Sequence, residues 1–125
     1  MIDHMTLAVS DLSRSRSFYE AALAPLGYQV ILEFDNGVFS MGIPGLNVQE
    51  QGGELWFALD PDPKPFHFAL AASDQEQVRS FHRAAIEAGG VDNGAPGERP
   101  HYHAGYYAAF VHDPDDHNVE AVCHS

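Results

Sequence analysis

HMTLAVSDLSRSRSFYEAALAPLG, residues 4–27, returns 63 positions later as HFALAASDQEQVRSFHRAAIEAGG, residues 67–90. Laid together without a gap, the stretches are identical at 11 of 24 positions: His4/His67, Leu7/Leu70, Ala8/Ala71, Ser10/Ser73, Asp11/Asp74, Arg16/Arg79, Ser17/Ser80, Phe18/Phe81, Ala21/Ala84, Ala22/Ala85 and Gly27/Gly90. Unrelated segments of ordinary composition would share roughly one or two. The chain therefore reads as a duplication, one folding unit used twice.

Each copy opens with an alternating segment, continues through Ser-Asp into apolar residues at helical spacing, and closes at glycine. Asp11 and Asp74 are placed to cap the helices, and Gly27 and Gly90 to end them in the left-handed conformation. YQVILEF, VFSMGI and ELWFAL follow in the first copy, each rich in β-branched and aromatic residues, and predict three strands. In the second copy NGAPGERPHYHAG reads as a loop, followed by strands in YYAAFVHD and NVEAVCH around a DPDDHN turn. The order is β-α-β-β-β twice, an α+β chain. It forms one domain over residues 1–125, with module one about 1–60, module two about 65–125, and Pro61, Pro63 and Pro65 at the joint. A half of about 60 residues buries too little surface to stand comfortably alone, so the halves should pack together or pair with those of another chain.

The 125 residues carry 18 Asp and Glu against six Lys and Arg, a formal charge of −12. That balance repels nucleic acid and anionic membranes alike. No apolar run approaches the roughly 20 residues of a membrane span, and MIDHMTLAVSDL lacks the pattern of a signal peptide, so a cytoplasmic protein is expected. The one cysteine, Cys123, has no internal disulfide partner and fits a reducing compartment.

Strand alternation sorts the eight histidines. Met5, Leu7 and Val9 should meet the first helix and Phe68, Leu70 and Ala72 the second, leaving His4 and His67 on the opposite faces beside small residues. In the last strand Glu120 is a carboxylate amid apolar neighbours, costly to bury unless a cation or hydrogen bonds compensate its lost hydration. Two imidazoles and a carboxylate can fill three positions of a divalent ion and leave others open for substrate. Glu120 could equally be a partner of Arg99, and either histidine an ordinary strand residue. His101, His103, Tyr106 and Tyr107 form a second polar-aromatic group able to orient substrate or move protons; His82, His112 and His117 read as solvent-facing.

With the duplicated order, IDHMTLAVSDLSRSRSFYEAAL at the start and YYAAFVHDPDDHNVEAVCH at the end, the whole chain resembles the glyoxalase, bleomycin-resistance and dioxygenase superfamily. The resemblance implies two tandem βαβββ modules whose curved mixed sheets surround a metal and substrate cleft. It implies metal ligands His4, His67 and Glu120, a divalent ion such as Fe, Mn, Ni or Zn, and a small organic substrate bound through vicinal oxygens in dioxygenase-like or lyase-like chemistry. Glu120, Tyr107, His101 and His103 are the expected proton-handling groups, and a homodimer is expected, with the site in one chain or shared between two. The fourth ligand of glyoxalase I proteins falls, at the same offset, on Phe57, which cannot coordinate; Glu54 lies three residues earlier on the other strand face. The usual Asp-Pro-Asp-Gly turn reads Asp113-Pro114-Asp115-Asp116. The other reading the resemblance offers is a metal-free, drug-sequestering binding protein of the bleomycin-resistance type.

Overall fold

A computed structural model describes residues 2–45 and 52–125. The first module comprises β1 (Met5–Val9), α1 (Leu12–Leu23) with a 3-10 turn at Ala24–Leu26, β2 (Gln29–Glu33), β3 (Phe39–Gly42) and β4 (Leu55–Leu59). The second comprises β5 (His67–Ala71), α2 (Gln75–Glu87), β6 (Val91–Glu98), β7 (Tyr107–His112) and β8 (Asn118–Cys123). The sheets have matching orders, β1-β4-β3-β2 and β5-β8-β7-β6. In each, the first and last strands of the module run parallel and the remaining pairs antiparallel. The helices pack against each other, and one continuous core joins Leu7, Tyr19 and Phe57 to Phe81, Val111 and Val119.

Local signals in the repeat explain the helices. The side chain of Asp11 accepts from the Arg14 amide at 3.0 Å, and that of Asp74 from the Gln77 amide at 2.9 Å, each pairing an otherwise orphaned first-turn donor. Gly27 ends the first helical segment at φ +94°. In the second copy the left-handed residue is Gly89, at φ +101°, and not Gly90 as the repeat suggests. Gly90 is needed for close approach: a Cβ there would lie 2.5 Å from Val111 Cγ1, 2.8 Å from the Ala85 carbonyl oxygen and 3.0 Å from Phe18 Cε1. Gly90→Ala should therefore destabilise the protein by about 1–3 kcal/mol through overpacking, read as a lower urea midpoint at unchanged slope.

Two expectations change. The eight-residue strand β6 takes up the first six residues, 93–98, of the stretch expected to be a loop after α2. Its prolines and glycines hid it, yet β6 is an edge strand paired only to β7, with register slips at Asp92/Gly94 and Gly94/Gly97, where such residues are tolerated. Arg99 adds hydrogen bonds to the carbonyls of Ala95 at 2.9 Å and Gly97 at 2.7 Å, which occupies the guanidinium that could have paired with Glu120.

His117, expected at the surface, is 1% exposed. The Phe66 amide donates to its Nδ1 at 3.0 Å, so Nε2 carries the proton and donates to the Ala8 carbonyl at 2.7 Å. The Asp113–His117 turn thus fastens the second module to the first. Tyr19 on α1 donates to Asp113 Oδ2 at 2.5 Å, and both the amide and hydroxyl of Ser10 donate to Asp115. Asp116 occupies the usual glycine position of this turn and takes φ +66°, a conformation aspartate tolerates better than most side chains.

Candidate metal half-site on the second sheet

Alternation along β5, β7 and β8 puts His67 and Ala69, Ala108 and Phe110, and Glu120 and Val122 on the face turned away from α2. Glu120 lies beside Ala69 on one neighbour and Phe110 on the other. It is 2% exposed, so both of its oxygens need partners. His67 Nε2 lies 2.9 Å from Oε1, and the Tyr106 hydroxyl donates to Oε2. Tyr106 arrives on a tight turn in which the Arg99 amide donates to the Tyr106 carbonyl at 2.7 Å and the Tyr102 amide to the Arg99 carbonyl at 3.0 Å. Burial, then the hydrogen bond and charge of Glu120, push the Tyr106 hydroxyl up to about 12. At ordinary pH it is a neutral donor that holds the carboxylate in place.

The expected site residues separate into those that meet here and those that do not. His67 and Glu120 meet. Tyr107 faces α2, where its hydroxyl accepts from Arg79 at 3.3 Å, and its neighbour Tyr106 occupies the place beside Glu120. The alternation carried that signal: Ala109 and Val111 are core residues, which turns Tyr107 inward with them and Tyr106 outward with Phe110. His101 packs its ring on Tyr102, with centroids 4.3 Å apart, and His103 lies against His124.

His4 precedes β1; its Nδ1 lies 2.8 Å from Asp3 Oδ1, and its side chain is 57% exposed. Among the described residues, no three His, Cys, Asp or Glu side chains of one chain converge as a metal site. Within one chain His67 and Glu120 meet while His4 does not join them, its strand belonging to the other sheet; the sequence left open whether the three would meet in one chain or between two.

The donor set that does form suits an ion. His67 Nε2 and Glu120 Oε1, hydrogen-bonded at 2.9 Å, are the two ligand types that divalent first-row ions take and lie close enough to share one. Tyr106 on the far oxygen supplies the outer hydrogen bond that commonly orients a ligating carboxylate.

The strand registers also revise the position corresponding to Glu120 in the first module. Thr6 pairs with Trp56 as Ala69 pairs with Glu120, so the counterpart is Trp56 and not Phe57. Phe57 is wholly buried in the core. Glu54 therefore shares the face of that counterpart, two residues before it. It lines a cavity of about 410 Å³ between the modules with Met5, Tyr28, Ala69, Ala71 and Gln77. Burial, then the hydrogen bond to Glu54, push the Tyr28 hydroxyl up.

Fold and site together define an α+β protein of paired βαβββ modules with a carboxylate–imidazole pair on the open face of one sheet. The family model of the Glyoxalase/Bleomycin resistance protein/Dioxygenase superfamily matches residues 1–121, and the chain belongs to that superfamily. A solved glyoxalase/bleomycin resistance protein from Albidiferax ferrireducens is 26% identical, with a TM-score of 0.75 over 95% of this chain and 94% of that one. A glyoxalase-related enzyme from Fulvimarina pelagi, 20% identical, has a TM-score of 0.69 over 98% of this chain and 86% of its own. The oxidase ChaP-H2, 21% identical, has a TM-score of 0.67 over 100% and 94%. No curated protein matches the sequence significantly.

Proposed function

We propose that this protein is a cytoplasmic, divalent-metal-dependent enzyme acting on a small organic substrate, with its metal site completed between two copies of the chain. The observation that carries the reading is the pair His67 Nε2 and Glu120 Oε1 at 2.9 Å, with a nearly buried carboxylate whose other oxygen is held by Tyr106. A bound Fe, Mn, Ni or Zn ion would supply Lewis acidity and a template for two adjacent substrate oxygens. His67 and Glu120 would hold it from one chain. His4, exposed and outside the pair, would be donated by the other chain of a homodimer. Tyr106 keeps Glu120 Oε2 occupied and so leaves Oε1 directed to the ion. Oxygen-dependent cleavage and lyase chemistry are both compatible with this ligand set; oxygen uptake with catechols against turnover of a glutathione hemithioacetal separates them.

Mixing two inactive variants tests the shared site. His4→Ala and His67→Ala should each lose tight metal binding, and a refolded equimolar mixture should regain about a quarter of the wild-type sites, since half of random dimers are mixed and each holds one intact set. No recovery in demonstrably mixed dimers would overturn the shared site. The metal-free binding protein is the second reading, favoured by the fact that His67 and Tyr106 already satisfy both oxygens of Glu120 without a cation. Tag-free wild type that binds no metal at any loading would overturn the metalloenzyme.

A further inference from the structure

The turn between β6 and β7 brings His103 against His124, the residue after β8, on the side of the strand that also carries Glu120. His103 Nε2 stands 3.0 Å from His124 Nδ1, with the ring planes 17° apart. The other nitrogen of His103, Nδ1, lies 2.8 Å from the Ala104 carbonyl. A carbonyl can only accept, so Nδ1 carries a proton; in the tautomer protonated there alone, Nε2 accepts from His124 Nδ1. Anchoring one imidazole nitrogen on a carbonyl is how proteins aim the other at a metal. Tyr106 stands edge-on against both rings, with centroids 5.2 and 5.4 Å away, and braces the pair.

The geometry points to a second cation site, formed by His103 Nε2 and His124 Nδ1, that takes Ni²⁺ or Cu²⁺. The class follows from the chemistry of the ligands. Imidazole pairs bind late first-row ions and have little affinity for Mg²⁺ or Ca²⁺. In the metal-free protein the 3.0 Å contact is a hydrogen bond between the two ring nitrogens, and an ion would bind in place of its proton. Water or an exogenous ligand would fill the remaining positions. His124 lies four residues past Glu120, about 13 Å along an extended strand, too far for one ion to serve both places.

Calorimetric titration of tag-free protein with NiCl₂ tests this in a His67→Ala, Glu120→Gln background, which removes the other half-site. One equivalent should bind. Adding His103→Gln or His124→Gln should weaken that binding at least tenfold, and His101→Ala should leave it unchanged, with far-UV circular dichroism confirming the fold of each variant. Substoichiometric Cu²⁺ in the same background should give an electron paramagnetic resonance spectrum with two imidazole nitrogens, falling to one in the His103→Gln protein. Absence of Ni²⁺ binding, its survival after either added substitution, or an equal loss from His101→Ala would overturn the site. Because His67 and Glu120 are already removed, these results stand apart from the fate of the enzyme reading.

Discussion

Asp113→Ala is expected to cost about 3–5 kcal/mol of folding stability, enough to lower the thermal midpoint by ten degrees or more in a domain of this size. The carboxylate is 3% exposed and accepts three hydrogen bonds: from Tyr19 at 2.5 Å, the Asp115 amide at 2.9 Å and the His117 amide at 2.8 Å. Truncation strands all three donors, and the Tyr19 hydroxyl has no route to water because that residue is fully buried. Asp113→Asn should be far milder. Its amide oxygen can keep the two backbone donors while its NH₂ donates to the Tyr19 oxygen.

The asparagine variant also reports on pH. Burial pushes the Asp113 carboxyl up, against the opposing pull of its hydrogen bonds. A folded-state value above the unfolded value of about 3.9 means the native chain holds this proton more tightly. The stabilising share of the group is then full below about pH 3.9 and lost as pH rises through the folded-state value. Wild type should gain on Asp113→Asn when both are unfolded at pH 4 instead of pH 7. A difference in thermal midpoint that stays constant, or moves the other way, would refute the assignment.

The second large effect concerns function. On the proposed reading, Glu120→Ala should weaken metal binding more than 100-fold, whereas Tyr106→Phe, which removes only the outer hydrogen bond, should weaken it about tenfold. The metal-free stability of Glu120→Ala should change little, since relief from burying a carboxylate offsets two lost hydrogen bonds, and the freed donor of His67, whose side chain is 54% exposed, can reach water. Loss of stability without loss of metal affinity would make Glu120 a structural residue and the His67 contact a mere hydrogen bond. Inductively coupled plasma analysis after dialysis, beside thermal melts of the metal-free proteins, separates these outcomes.

The duplication was legible because each module repeats the same cap, helix face and first strand, and local rules govern all three. Asp11 and Asp74 cap as read, and Leu7, Val9 and Phe68 point inward as alternation requires. The meeting of His67 and Glu120 was legible, since they lie on adjacent paired strands and strand phase alone sends both to the same face. What the sequence concealed depends on register and long-range contact. One residue of slippage between the modules moves the counterpart of Glu120 from Phe57 to Trp56. An arginine that caps carbonyls makes a strand of a Gly- and Pro-rich stretch, and a histidine in a polar turn becomes buried by meeting Ala8 across the chain.

That turn has a consequence for assembly. Ala8, Ser10 and Tyr19 of the first half grip the segment around Asp113 and His117 of the second. Swapping halves between polypeptides would undo this clasp and then remake it between chains, so the contacts oppose exchange through a barrier more than through the final balance. Once a molecule has closed, the clasp keeps its two halves from trading places with those of another.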